Sequence, residues 1–418
     1  MFKKDFLVGA STAANQVEGN NKNSDFWALE SLPSTMFKEP SLDAVDHYNR
    51  YEEDIMLMKE AGLNAYRFSI EWARVETAQG EFDSEAIEHY RKKIAFCRKN
   101  GIEPIITMHH FTTPIWVVQK GGWSNPETAS FFASYCEHIA KELGSEINYV
   151  CTINEANMVL QILRLMTDMA NVRVGDVQVG IDVNARRESM MKYGMEAMQQ
   201  YQINPSNIFL SPGAGVVGNG IVVQAHCKAC DAMKAVCPHL KVGITLSLHD
   251  FQPIEGGEHL AEVEWIEEFT QYLPYIYKDD FIGVQNYSRK IIGPNGKEPN
   301  PEGSKETQMG YENYPQAISN VCREVAKLFK GDIIITENGI ATSDDTERVT
   351  FINEAVAGIS AAIADGVPIK GYLHWSLLDN FEWMLGFDRT FGLIAVDRTT
   401  QTRLPKPSLK VLGSMREA

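Results

Sequence analysis

Short apolar runs alternate with longer, partly polar segments along most of the chain. Eight runs stand out: DFLVGA, NAYRFSI, EPIITMHH, NYVCTIN, KVGITLS, DFIGVQNY, DIIITEN and IKGYLHWS. Runs of this length are typical of buried strands, and most of the segments between them have the period of an amphipathic helix. Strands that alternate with helices form parallel sheets. Eight such units predict an α/β fold, a closed (β/α)8 or TIM barrel.

The segments between the runs carry start and stop signals for helices. The helix predicted within residues 43–64 stops at Gly62, a residue suited to the left-handed position that follows a helix. One face of that segment is apolar: Tyr48, Tyr51, Ile55 and Met58. Residues 84–103 repeat the scheme, with Ser84 predicted as the N-cap and Gly101 as the stop.

The length of 418 residues permits several domains, but α/β barrels often reach this size as one domain. No low-complexity linker divides the sequence. The stretch richest in Pro and Gly, residues 293–310, is predicted to be a surface loop and is too short to separate domains. We therefore expect one domain that covers residues 1–418.

Polar residues cluster where the predicted strands end. In a (β/α)8 barrel the active site lies at the C-terminal ends of the strands, so these side chains are expected to meet at one mouth. Any one of them alone has an ordinary structural explanation, whereas so many polar groups at one rim indicate a binding site. They are Gln16, Glu18, Arg67, Glu71, His109, His110, Asn154, Glu155, Tyr287, Glu337, His374 and Trp375.

Glu155 and Glu337 follow the fourth and seventh strands, so they can face each other across the mouth. Two opposed carboxyl groups suit the cleavage of an acetal, in which one delivers a proton and the other attacks or stabilises the reacting carbon. A separation of about 5 Å predicts retention of configuration, and about 6.5 to 9.5 Å predicts inversion. Arg67 is the expected cation that keeps one of the two ionised.

Charge and cysteine content limit the partners and the compartment. The net charge of −16 disfavours binding to nucleic acid or to an anionic membrane. Seven cysteines scattered over the chain indicate reduced thiols in a cytoplasm. The first residues contain no apolar stretch long enough for a secretory signal, and no run approaches the length of a membrane span.

One segment, residues 225–239, contains residues that could bind a metal. It includes a Cys-x2-Cys pair, and its possible ligands are His226, Cys227, Cys230, Cys237 and His239. Zinc knuckles use such spacing. The same residues also have the pattern of an amphipathic helix, which is the interpretation we prefer, so neither a metal nor a cofactor is predicted.

Several motifs, in order along nearly the whole chain, resemble those of the family 1 glycoside hydrolases, the β-glucosidase family. They are FLVGASTAANQVEG, YRFSIEWARV, TINEAN, ITENG and WSLLDNFEWMLGFDRTFGL. The resemblance implies a retaining double displacement on β-glycosides or short oligosaccharides, without metal or cofactor. It implies that Glu155 is the acid/base and Glu337 the nucleophile. A transglycosylating enzyme and a catalytically silent sugar-binding barrel remain alternative functions. A homo-oligomer remains a possible assembly.

The resemblance also implies roles for the residues around the two carboxyl groups. Asn154 matches the residue that binds the sugar 2-hydroxyl, and Arg67 and Tyr287 match the pair that orients the nucleophile. The residues matching the sugar-binding positions are Gln16, His110, Glu382 and Trp383, with Trp375 as the platform beneath the ring. An anionic Glu382 is expected to repel a phosphate, which predicts unphosphorylated glucosides, galactosides or fucosides.

Three features depart from the family pattern. Phe111 stands where a tryptophan is usual, and it is expected to stack on the sugar without donating a hydrogen bond. Gln285 precedes Asn286 and Tyr287 in an altered motif, and we expect it on the side of the leaving group. Residues 158–180 lack the usual glycine-rich pattern, so the preference for the leaving group cannot be predicted from them.

Overall fold

The computed structural model describes residues 2–171, 183–211 and 213–417. Within these residues, the eight predicted runs form the strands of one parallel sheet. They are β1 (Leu7–Ser11), β2 (Ala65–Ser69), β3 (Glu103–His109), β4 (Tyr149–Ile153), β5 (Lys241–Gly243 and Thr245–Ser247), β6 (Phe281–Gln285), β7 (Asp332–Asn338) and β8 (Ile369–Trp375). The fold class predicted from the sequence, a TIM barrel, is confirmed.

The sheet closes on itself through β5. Neighbouring strands follow each other around the ring, and β1 pairs with both β2 and β8. The two halves of β5 divide the closure between them: Lys241–Gly243 pairs with β4, and Thr245–Ser247 pairs with β6. Gly243 permits the close approach of β6, since a Cβ there would lie 2.1 Å from the Phe281 carbonyl oxygen. The seam of the barrel therefore rests on two three-residue segments.

Helices surround the barrel and connect its strands. The longest are α1 (His47–Ala61), α2 (Ser84–Lys99), α3 (Thr128–Leu143), α4 (Met158–Asn171), α5 (Val183–Tyr201), α6 (Gly215–Val236), α7 (Glu258–Glu268), α8 (Ala317–Leu328) and α9 (Asp345–Ala364). Shorter α-helices cover Ala14–Val17, Asp25–Glu30, Trp72–Val75, Ile115–Gln119, Leu273–Ile276 and Pro407–Gly413. Single 3₁₀ turns cover Gly122–Ser124, Gly144–Glu146, Pro205–Asn207, Thr270–Tyr272 and Trp383–Leu385.

The residues that begin and end α1 and α2 agree with the sequence prediction except at one position. Gly62 adopts the left-handed conformation after α1, with a φ of 95°, and Gly101 does so after α2, with a φ of 74°. The N-cap of α2 is Asp83 rather than Ser84, because the Asp83 carboxylate accepts the backbone N–H groups of Glu85 and Ala86. A carboxylate at that position also interacts favourably with the helix dipole.

In the described part of the chain, short strands outside the barrel form three small sheets. They cover Glu76–Ala78, Glu81–Phe82, Asp250–Pro253, Arg289–Gly293, Gly296–Lys297, Ile394–Asp397 and Thr402–Pro405. The stretch 293–310, predicted to be a loop, therefore begins inside a hairpin, although most of it is irregular. Among the described helices, none combines the length and the apolarity that crossing a membrane would need.

Apolar side chains fill the barrel and the layer between barrel and helices. Six strands contribute one residue each to an inner cluster of Ala65, Ile105, Cys151, Phe281, Ile334 and Leu373. Side chains two apart on a strand share a face, so Arg67 lies above Ala65 on the inner side. The inner apolar cluster therefore lies directly beneath a layer of polar side chains at the C-terminal mouth.

Candidate active site

Glu337 is held at the mouth of the barrel by two donors. Arg67 donates from Nη1 to Oε1 at 2.6 Å, and the Tyr287 hydroxyl donates to Oε2 at 2.6 Å. The register of β7 shifts against both neighbouring strands near this position. Such bulges re-aim side chains, which explains how a residue out of phase with the inner apolar positions reaches the cavity.

Asn154 joins this group through the same guanidinium. Its Oδ1 accepts from Arg67 Nη2 at 2.5 Å and from Gln285 Nε2 at 2.8 Å. Its amide nitrogen lies 3.2 Å from His110 Nε2. Arg67, which has no exposed surface, thus connects the ends of three strands. Asn154 and Glu337 are fixed relative to each other by one buried cation.

Glu155 lies beside this network without a bond to the cation. Its backbone is left-handed, with a φ of 41°, and its N–H donates to Thr245 Oγ1 at 3.0 Å. Burial and the charge of Glu337 raise the pKa of Glu155 to about 8, which a hydrogen bond from Ser247 and the charge of Arg67 partly oppose. At neutral pH this carboxyl group therefore holds its proton.

The two carboxyl groups differ in what surrounds them. Burial also raises the pKa of Glu337, but Arg67 and Tyr287 both counteract that rise. An arginine and a hydroxyl that donate to the ionised form favour it. Of the pair, Glu337 loses its proton first, and its charge then helps to keep the proton on Glu155.

Glu382 forms a third acidic group at the mouth. Gln16 donates from Nε2 to the Glu382 carboxyl at 3.4 Å and to the Phe381 carbonyl at 2.9 Å. Burial, with the charge of Glu337, raises the pKa of Glu382 to about 8. Glu382 is therefore mostly neutral near pH 7, which removes the basis of the predicted repulsion of phosphate. The buried Gln16 Oε1 has no hydrogen-bond partner within the described residues.

Aromatic rings form the wall next to the acids. The His110 ring lies nearly parallel to Trp375 and Trp383, with centroids 5.7 and 6.0 Å away. Phe111 contacts Trp383 at a centroid distance of 5.2 Å. Burial lowers the pKa of His110, so its ring is neutral, and its Nδ1 has no hydrogen-bond partner in the described chain. Flat rings beside free polar atoms suit a sugar, whose faces are apolar and whose rim is polar.

These groups surround a cavity of about 320 Å³. Nine of the twelve predicted site residues line it: His110, Phe111, Asn154, Glu155, Tyr287, Glu337, Trp375, Glu382 and Trp383. The remaining lining residues were not predicted from the sequence: Met158, Gln161, Ile162, Leu210, Ser247, His249, Met309, Tyr311 and Phe391. Ser247 ends β5 and could have been found by the strand-end rule, whereas Met309 and Tyr311 lie in a loop without such a signal.

Three of the twelve predicted residues lie behind the cavity. Arg67 and Gln16 act on lining residues through the bonds described above. Gln285, expected beside the leaving group, is instead fully buried and donates to Asn154. Gln285 is not among the residues that line the cavity and reaches them only through Asn154, so its contact with the leaving group stays a prediction.

Other strand-end residues belong to the scaffold. Glu18 accepts the Tyr90 hydroxyl at 2.8 Å and lies 3.7 Å from Lys93 Nζ. Glu71 accepts the hydroxyl of Thr112. His109 is enclosed by aromatic rings, and burial lowers its pKa to about 3. Their partners and their burial explain them without a ligand.

A larger cavity, about 650 Å³, opens at the opposite end of the barrel. Its lining includes Phe2, Lys3 and Tyr149, and its charged groups include an ion pair between Lys370 and Asp332. Enzymes of this fold act at the C-terminal strand ends, so the smaller cavity with the opposed carboxyl groups is the candidate active site.

The comparison with protein families decides the assignment. The family model of glycosyl hydrolase family 1 matches residues 1–172 and 269–418. The chain belongs to glycosyl hydrolase family 1. As a member, it is a glycoside hydrolase. The matched residues of this family 1 hydrolase include both candidate catalytic carboxyl groups.

Curated relatives and solved structures agree with this assignment. The family 1 hydrolase is 30% identical to a 1,4-beta-D-glucan glucohydrolase from Thermotoga neapolitana, over 97% of this chain and 96% of the relative. Beta-glucosidase A from Thermotoga maritima is 28% identical, over 97% and 96%. The solved β-glycosidase BGL167 is 41% identical, covers 99% of this chain and 96% of its own, and superposes with a TM-score of 0.88.

Proposed function

We propose that this chain is a retaining β-glucosidase that hydrolyses unphosphorylated β-glucosides, and that galactosides and fucosides are secondary substrates. One observation carries the proposal: Glu337, bonded by Arg67 and Tyr287, shares a cavity with Glu155, whose pKa is raised to about 8. One carboxyl group is set up to attack and the other to deliver a proton. Relatives named as β-glucosidases support the choice of glucosides.

In this proposal Glu337 is the nucleophile. Its carboxylate attacks the anomeric carbon while Glu155 gives its proton to the leaving oxygen, so that a covalent glycosyl-enzyme forms. Glu155 then takes a proton from water, which attacks the same carbon and releases Glu337. The two displacements restore the original configuration, which is the outcome general to the family.

The sugar is proposed to lie between the aromatic wall and the buried amides. Trp375 supports the ring, and Asn154 and His110 contact its hydroxyl groups. Glu382, protonated near neutral pH, can both donate to and accept from a hydroxyl. Gln16 holds Glu382 in place. These are positions at which the described structure offers polar atoms beside a flat apolar surface.

Discrimination against phosphate is proposed to rest on the lack of a cation. Among the described residues that line the cavity, none is a lysine or an arginine. Arg389 lies close enough to Glu382 to lower its pKa, but it is not part of the lining. A phosphate dianion next to Glu382 would be buried without a partner, which is costly. Faster cleavage of an aryl 6-phosphoglucoside than of the plain glucoside would contradict this.

We also propose that residues 1–418 act as one catalytic domain in the cytoplasm, with small glycosides as partners. The continuous apolar core supports one domain. The seven cysteines, all unpaired, are what a reducing compartment permits. Fractionation of the native cells would test the location, and activity in a secreted fraction would contradict it.

Release of nitrophenol from an aryl β-glucoside tests the activity itself. The wild-type chain should turn over, and Glu337→Gln should be inactive because an amide cannot displace the leaving group. Glu71→Gln is the matched control: burial raises the pKa of Glu71 to about 7, and the residue lies outside the cavity. A fluorinated glucoside that traps the intermediate should label Glu337. A wild-type chain that binds glucose without releasing nitrophenol would refute hydrolysis.

A further inference from the structure

A cluster of three different metal-ligand residues lies outside the candidate active site. His226 and Cys230 are one turn apart on α6, and Asp279 lies in the segment that leads into β6. One ligand atom of each lies within 4.8 Å of the other two. His226 and Cys230 come from residues 173–268, which the family model does not match.

The distances resemble those of a four-coordinate ion. His226 Nε2 lies 3.2 Å from Asp279 Oδ1 and 3.8 Å from Cys230 Sγ. Zinc bonds of about 2.0 Å to nitrogen and oxygen and about 2.3 Å to sulfur, at tetrahedral angles, place such atoms roughly 3.3 to 3.6 Å apart. The Cys230 side chain must rotate to bring its sulfur to the centre that Nε2 and Oδ1 define, and it starts within 4.8 Å of both atoms.

The histidine is oriented as metal-binding histidines usually are. Its Nδ1 lies 2.8 Å from Thr152 Oγ1, and that hydroxyl has the Gly243 carbonyl at 3.5 Å as an acceptor for its own proton. With Thr152 accepting from Nδ1–H, Nε2 is left to bind an ion beside Asp279 Oδ1, while Cys230 Sγ lies 3.7 Å from Nδ1 and 3.8 Å from Nε2. A partner on the second ring nitrogen fixes the tautomer of metal ligands in this way.

The carboxylate is fixed as well. Asp279 Oδ2 accepts the backbone N–H of Ile244 at 3.1 Å, so Oδ1 is the oxygen that faces the histidine. The nearby cation Lys234 is paired with Asp280 at 2.6 Å, which reduces its repulsion of a metal ion. A thiolate and a carboxylate would balance the two positive charges of the ion.

We propose that His226, Cys230 and Asp279 bind one divalent transition-metal ion of the zinc class, with water in the fourth position. The mixed nitrogen, sulfur and oxygen set suits zinc rather than calcium or magnesium. Binding releases the thiol proton of Cys230, and the ion then links α6 to the segment before β6. This site does not depend on the proposed glucosidase activity.

Cobalt is the probe, because a cobalt–thiolate bond gives a near-ultraviolet charge-transfer band and four-coordinate cobalt absorbs strongly in the visible. The full chain, reduced, freed of metal by a chelator and without a histidine tag, is titrated with Co²⁺. We expect both features, with an end point of one Co²⁺ per chain, and their loss on addition of Zn²⁺. A wild-type chain without the charge-transfer band would overturn the proposal.

Three variants test the ligand set. Cys230→Ser should lose the charge-transfer band, and Asp279→Ala should bind Co²⁺ more weakly by at least the roughly 10- to 100-fold that losing an outer-shell partner costs. The control is Cys227→Ser, which alters a partly exposed cysteine on the same helix whose sulfur lies 3.8 Å from the Tyr275 carbonyl. It should retain the band. The assignment would be refuted if the band survived in Cys230→Ser or disappeared in Cys227→Ser. It would also be refuted if Asp279→Ala bound Co²⁺ as tightly as the wild type.

Discussion

The hydroxyl of Tyr287 offers the sharpest test of how Glu337 is kept ionised. Tyr287→Phe removes one donor at 2.6 Å from Glu337 Oε2 and leaves the ring and the Arg67 bond in place. A hydrogen bond to a charged group is worth about 1.5–3 kcal/mol, and one pKa unit corresponds to about 1.36 kcal/mol. Because the lost bond favoured the ionised form, the pKa of Glu337 should rise by about one to two units.

The assay is the pH dependence of kcat/KM for an aryl β-glucoside. The acid limb should move to higher pH by about one to two units, while the alkaline limb, assigned to Glu155, should stay in place. Tyr311→Phe is the matched control, since Tyr311 also lines the cavity, 6.4 Å from the Tyr287 ring. A loss of activity in Tyr287→Phe with an unmoved acid limb would refute the electrostatic role of the hydroxyl.

Three further outcomes follow from the described contacts. Glu155→Ala should remove the alkaline limb near pH 8 from the pH profile of kcat/KM. It should also slow the cleavage of alkyl glucosides far more than that of dinitrophenyl glucoside, because the dinitrophenyl leaving group needs no proton. Equal losses for both substrates would count against the acid role. Glu382→Gln should raise KM for glucosides more than it lowers kcat for the best aryl substrate, and an unchanged KM would place the sugar elsewhere. Ile334→Ala, in the inner apolar cluster, should lower the free energy of unfolding in urea by about 2–5 kcal/mol; a smaller loss would mean that the barrel interior is loosely packed.

The barrel could be predicted from the sequence because each strand and helix signals itself locally. The β7 run IIIT is apolar on both faces, as a strand covered by helices and by a packed interior must be. The helix stop at Gly62 follows from backbone sterics alone. The N-cap of α2 was misplaced by one residue, because Asp83 and Ser84 are both good caps and only the tertiary structure selects between them.

The site was predictable as a set of residues but not as a geometry. Strand-end positions placed Glu155, Glu337 and Arg67 at one mouth, yet the bulge that turns Glu337 inward depends on register, which the sequence does not report. The position of Gln285 behind the cavity lining could not be read from the sequence for the same reason. The ionisation of Glu382 depends on burial and on a neighbouring charge, so it required the structure.

Contacts between residues far apart in the sequence were harder still to predict. The segment 225–239 indicated ligands, but Cys237 Sγ lies 3.2 Å from the Ala140 carbonyl, and the His239 ring contacts the Gly144 carbonyl. The residue that completes the cluster, Asp279, stands about fifty positions downstream in an irregular segment. The segment 158–180 lacks the glycine-rich pattern of the family, and its residues 172–180 lie outside the described part of the chain.

The divided strand β5 is the most sparsely paired strand of the barrel. It forms three residue pairs with each neighbour, fewer in total than any other barrel strand, so we expect this sector of the ring to loosen first. Hydrogen exchange should be fastest there among the barrel strands. Ser247 ends this strand, whereas the Arg67–Glu337 bond spans β2 and β7, away from it. We therefore expect motion of this sector to widen the cavity beside Glu155, on the proposed leaving-group side, while Glu337 keeps its alignment.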